Sequence, residues 1–199
     1  MANKDIARGF VPVQYVSGLP YTGAANVYYV PSSDGTALFV GDPVIGVNAG
    51  SETNGIPTVT RATAAGGSYI LGIMVGVVGH GDPAVALQSQ DEQYRPASTE
   101  KYILVADDPF IMFEAQEDGT GGAMGVGAPN RNVDMVAGSG ATSTGLSGFE
   151  LDSSTLATTA TLQFRIHRPV DRVDNDPTPT NAKWLVSINL HSTRNATGI

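Results

Sequence analysis

The chain has 199 residues, a net charge of −8 from 19 acids and 11 bases, and no cysteine. That length suits a domain with its own hydrophobic core, and the absence of cysteine means that no disulfide staples it. The bases stand singly along the sequence, as at Arg61, Lys101 and Arg131; this disfavours nucleic acid and anionic membrane surfaces as partners, because neutralising phosphates takes clustered Lys and Arg.

The opening residues, MANKDIARGF, carry no apolar signal region. The longest apolar run, Tyr69–Val78, spans ten residues and contains Gly72 and Gly76, against the ~20 that a membrane helix needs. A protein made in the cytoplasm, with no membrane partner, is expected. Gly and Pro break the chain too often for long helices, and Val, Ile, Tyr, Phe and Thr fill the intervals. The expected fold is all-β: an antiparallel sandwich or barrel over 26–199, preceded by an arm or edge strand over 1–25.

Phe10–Val16 reads as a strand that Pro12 confines to an edge or to an extended arm. Asn26–Val30 is a short strand stopped by Pro31. Ala37–Val40, Val44–Val47 and Ile56–Thr60 follow, and 61–68 is loop. Tyr69–Val78 is apolar on both faces, as a central strand is. Ala84–Arg95 reads as a strand or a short turn of helix. Tyr102–Gln116, YILVADDPFIMFEAQ, is the densest strand-forming run, with two apolar halves around Asp107-Asp108-Pro109 expected as a buried strand pair. Gly119–Gly148 holds nine glycines in thirty residues, so it is read as a contact loop in which Asn132–Val136 alone makes a strand. Thr161–His167 and Lys183–His191 alternate apolar and polar, which predicts one core face and one wet face in an antiparallel pair joined across Asp171–Asn181.

No catalytic, cofactor or metal residues are expected. Asp107 and Asp108 are neighbours in sequence and would point to opposite faces of a strand, so both read as turn residues. Their turn resembles Gly41-Asp42-Pro43 and Gly81-Asp82-Pro83. Glu117-Asp118-Gly119 does not supply a calcium loop, and Asp174-Asn175-Asp176 reads as a solvated turn before Pro177, with weak cation binding as the alternative. Zinc would need three or four ligands, and His80, His167 and His191 are few; His167 and His191 fall on the expected wet faces. There is no nucleophile elbow and no phosphate-binding loop with its Lys.

The order of pieces resembles a known family. Gly41-Asp42-Pro43-Val44 is followed by Ile70-Leu71-Gly72, then by Tyr102 to Gln116, a glycine-rich loop with Val126-Gly127, Ser147-Gly148 before Glu150-Leu151-Asp152, and finally Trp184 to His191. This is similar to the capsid cement (head decoration) proteins of tailed bacteriophages. The resemblance implies a jelly-roll-like β domain that works as a non-enzymatic homotrimer on the capsid exterior of the virion, with the major capsid protein as its partner. The contacts would come from the arm and the glycine-rich loop, at Phe10, Val13, Tyr15, Tyr21, Met124, Asn130 and Arg131. Two other readings stand beside it. One is a carbohydrate-binding jelly roll of a tail or adhesin, which would favour exposed aromatic residues. The other is a glycoside-type hydrolase using Asp107, Asp108 or Glu114.

Overall fold

A computed structural model describes residues 3–51, 55–78 and 93–194. Its regular structure is nearly all β, and the pairing is antiparallel apart from single-residue contacts. One unit is a closed barrel in the order β2 (Asn26–Val30), β4 (Pro57–Arg61), β3 (Pro43–Ser51), β5 (Gly72–Val78) and β6 (Lys101–Ala106). The other is a five-stranded sheet in the order β1 (Val11–Tyr15), β7 (Ile111–Gln116), β12 (Lys183–Ile188), β11 (Phe164–Pro169) and β8 (Asn132–Val133). A small ribbon pairs β9 (Met135–Val136) with β10 (Glu150–Leu151). Most of the expected Ala84–Arg95 element, with Gly81-Asp82-Pro83 and His80, lies outside the described residues.

Val30, Leu38, Val44, Val59, Met74, Ile103 and Val105 fill the barrel. The larger core lies between barrel and sheet, where Ile70, Ile73 and Ala106 meet Phe113, Phe164, Ile166, Trp184, Val186 and Ile188. The even-numbered residues of β11 and β12 enter that core as the alternation requires. The other face of β12 is not wet: Leu185 and Ser187 are buried. As the middle strand, β12 has large outward side chains on both neighbours, and His167 Nε2 lies 2.8 Å from Ser187 Oγ. His191 is also buried, in a bridge to Ile70 at the seam between sheet and barrel.

The two halves of Tyr102–Gln116 do not pair with each other. β6 closes the barrel, β7 joins the sheet, and Asp107–Phe110 carries the chain from one to the other. Asp107 secures the crossing by accepting from Asn26 Nδ2 (3.0 Å) and the Tyr28 hydroxyl (2.7 Å), both on β2.

The expected edge strand is present as β1, which pairs with β7 through a bulge at Val13. The segment before it packs on the same chain: Phe10 is buried and stacks on Phe164 with ring centroids 4.2 Å apart. Gly9 (φ +67°) and Gly41 (φ +98°) lie back to back beside it, and a Cβ on either would strike backbone of the opposing segment. Only glycine tolerates both conditions. Both edges of the sheet are covered from within the chain. Tyr15 N donates to Leu19 O and Tyr21 N to Val13 O along β1, while Asn132 and Ala157 exchange hydrogen bonds along β8.

Truncation of Phe10 removes a fully buried ring and half of an aromatic stack. F10A is expected to lower the unfolding free energy by about 3 kcal/mol in urea titration, and a change below about 1 kcal/mol would show that the stack is dispensable.

Candidate interaction surface

Residues 15–21 double back at the end of β1. Gly18 (φ +88°) makes the reversal, Gly18 N donates to Tyr15 O, and Val16 N donates to Phe110 O at 2.8 Å. This brings apolar side chains from a turn and from the barrel-to-sheet crossing to one place. Val16 is 49% exposed, Leu19 65% and Phe110 56%. With Tyr15, Ser17 and Asp108 they line an open concavity of ≈ 460 Å³. Arg194 stacks over Phe110 at 4.7 Å and donates to Pro109 O at 2.8 Å, which holds the ring outward. Val13 and Val11, about two-fifths exposed, continue the apolar strip along β1. Clustered exposure of this kind marks an interaction site, whereas scattered exposed apolar residues do not.

Of the seven residues expected at a contact, Val13, Tyr15 and Tyr21 gather here, with the two tyrosine rings 6.3 Å apart. Phe10 and Met124 are core residues, so neither offers its side chain to a partner in this conformation. Asn130 and Arg131 precede β8, at the other edge of the sheet. Asn130 is exposed at φ +67°, and Arg131 donates to Leu156 O. The expectation of a free contact loop fails for much of 119–148. Gly138 packs against Gly148, Gly140 against the Phe39 ring and Gly121 against Ser154, and Met124, Ala128, Val133 and Met135 sit in the core. Its glycines serve close packing. Val16, Leu19 and Phe110 escaped sequence reasoning; the available signal was apolar residues placed inside the turns Val16-Ser17-Gly18-Leu19-Pro20 and Asp108-Pro109-Phe110.

The acids weighed for chemistry are engaged in structural bonds. Asp108 accepts from Phe110 N, and Glu114 makes a two-bond pair with Arg172 at 2.9 and 3.1 Å. Burial pushes the Asp42 carboxyl up, with Ser147 and Phe39 N opposing. Burial also raises Glu117, although Met124 N, Trp184 Nε1 and Ala182 N all donate to it. Burial would raise Asp118 as well, but hydrogen bonds from Thr120 and Ser153 outweigh it and hold that carboxyl low. Glu150 is the outlier: burial, then Asp5 and Asp118, push it up to about 7, opposed by a hydrogen bond from Gln116. Gln116 Nε2 bridges Asp5 (3.0 Å) and Glu150 (3.1 Å). His191 is pulled down to about 4 by burial and Arg194, with Asp107 and Asp108 opposing. Among the described residues no three His, Asp or Glu side chains converge as metal ligands. Trp184, the single tryptophan, is fully buried and cannot stack on a sugar.

No family model matches the chain, and no curated protein or solved structure matches it. No helix among the described residues is long and apolar enough to cross a membrane.

The raised Glu150 has a direct consequence for stability. A carboxyl whose folded pKa lies above its unfolded value binds more protons when folded, so its contribution falls as pH rises from about 4.5 to about 7. The depressed His191 has the opposite slope between about 4 and 6.5. Comparing E150Q with the parent isolates Glu150. The melting temperature of E150Q relative to the parent should climb through pH 4.5–7 and stay above it at higher pH. A flat difference in calorimetric scans would show that Glu150 titrates normally.

Proposed function

We propose that this protein is a structural cement protein of a tailed-phage head, a non-enzymatic β domain that binds the outside of the assembled shell and strengthens contacts between major capsid protein subunits. The observation that carries the reading is the apolar strip of Val11, Val13, Val16, Leu19 and Phe110 on a doubly cored frame. It suits a protein whose work is contact. The motifs behind the resemblance have framework roles: Gly41-Asp42-Pro43 opens the barrel strand β3, Tyr102–Gln116 joins the two units, and Trp184–Ile188 is the central strand of the sheet. The buried Trp184 and the hydrogen-bonded Asp107, Asp108 and Glu114 weigh against the lectin and hydrolase readings.

A cement protein stabilises by mass action, because it binds neighbouring shell subunits in their assembled arrangement and not the free ones. Many copies of a modest contact add up where the geometry allows simultaneous engagement. A strip with aromatic and aliphatic anchors on rigid elements keeps the ordering cost of each contact low.

The test uses heads assembled from the major capsid protein that this reading pairs with the chain, titrated with the parent and with L19D/F110S. Both positions are exposed, so the variant is expected to fold while its affinity for heads drops at least about tenfold, or about 1.4 kcal/mol. Heads carrying the parent protein should withstand heating that disrupts bare heads. Equal affinity of the double variant, or equal heat resistance of bare and decorated heads, sinks the proposal.

A further inference from the structure

The bases are separated in sequence, but the sheet gathers them. Cross-strand partners share a face. Lys183 on β12 opposes Gln116 on β7; Leu185 opposes Glu114 and, on β11, Arg168; Ser187 opposes Met112 and Arg165. These positions alternate with Phe113, Ala115, Trp184 and Val186, which all point into the core. They therefore form the outer face of the sheet. Arg8 and Arg172 reach this face at a small cavity of ≈ 150 Å³ beside Glu114 and Lys183. Five of the eleven bases thus lie on one side of an acidic protein.

The acids there are few, and they are already used. Glu114 and Asp174 both pair with Arg172, at 2.9 and 3.3 Å. Asp5 and Glu150 flank Gln116 at one end and share its side-chain amide. Arg8, Arg165, Arg168 and Lys183 have no ion pair among the described residues. Arg165 Nε is steadied by Asn132 Oδ1 at 3.2 Å, and Arg8, Arg165 and Arg168 are exposed. His167, at the bulge of β11, senses the field: burial first and then Arg165 hold its ring below the usual histidine value.

We propose that this outer sheet face is a docking surface for an acidic protein surface, whose Asp and Glu carboxylates meet Arg8, Arg165, Arg168 and Lys183. Charge complementarity sets the partner's sign. Guanidinium forks match carboxylates in two-bond geometry, and three of these four bases are arginines. Leu185, Ser187 and Gln116 carry no ring, and the half-buried His167 ring is held against Ser187 Oγ at 2.8 Å, so the face presents little for a nucleobase to stack on. The surface borders the apolar strip at Val11, which pairs with Glu114 and lines the same cavity as Arg8 and Lys183, whereas Val16, Leu19 and Phe110 lie at the separate concavity after β1.

Fluorescent poly-L-glutamate and a single-stranded DNA oligonucleotide serve as probes, read by anisotropy at about 50 mM salt, where screening is weak. Two double variants, R168Q/K183Q and R61Q/K101Q, change the net charge equally, but only the first touches this face. The parent should bind poly-L-glutamate, and R168Q/K183Q should weaken it at least about fivefold while R61Q/K101Q stays within about twofold. R8Q, which lies outside the strands, should weaken it in the same direction as an independent check. No binding of poly-L-glutamate by the parent, equal loss in both double variants, or tighter binding of the oligonucleotide would overturn the proposal.

Discussion

The carboxylate of Glu117 is the constraint on which the rest of the sheet depends. It is fully buried just past the end of β7, and an ionised group there is tolerated only if donors surround it. They come from three places: Met124 N in the glycine-rich segment, Ala182 N at the entry to β12, and Trp184 Nε1 within β12. One side chain thereby fixes the path of the glycine-rich segment, the register of β12 on β7, and the largest ring in the core. Truncating it would leave two backbone amides and an indole N–H buried without partners, each of them costly. A neighbouring device works on the same principle at the barrel, where buried Arg95 donates to the carbonyls of Pro31, Asp34, Thr36 and Thr99 and ties the loops around β2 together.

Framework and contact surface are separate layers of this molecule. The two cores meet the same two-strand segment, since β6 serves the barrel and β7 serves the sheet. The exposed crossing between them supplies Phe110. An exposed side chain at such a crossing inherits the rigidity of both units. Its position is fixed on one side by Arg194 and on the other by the turn after β1, so little conformational freedom remains to be lost when something packs on it.

Strands were legible where a local rule decides them. Period-two alternation located β11 and β12 and assigned Trp184, Val186 and Ile188 to the core. Pro12 placed β1 at an edge. Pairing partners were not legible, because a strand's partner is decided by the whole chain. Tyr102–Gln116 looks like a hairpin locally and is a crossing between sheets. The same limit hid the wrapped outer face of β12, where Leu185 and Ser187 are buried by side chains from other strands, and the depth of His191. Glycine content was read as looseness in 119–148, whereas Gly138, Gly140 and Gly121 are small because another segment lies against them. The basic face was legible only in part: alternation set Arg165 and Lys183 on the outer face of two paired strands, whereas Arg8 reaches Lys183 only through the path of the chain before β1.

The covered edges of the sheet bear on how the protein behaves when crowded. In the five-stranded sheet, Pro12 withholds a donor from β1, and Leu19–Tyr21 and Ala157 occupy outer hydrogen-bonding positions of the edge strands. An unpaired edge is a template for runaway strand addition, and the hazard grows with local concentration. At these two edges the backbone is withheld, and association across them must go through side chains, whose contacts are finite in extent and reversible. Copies can accumulate side by side without the five-stranded sheet nucleating a fibril.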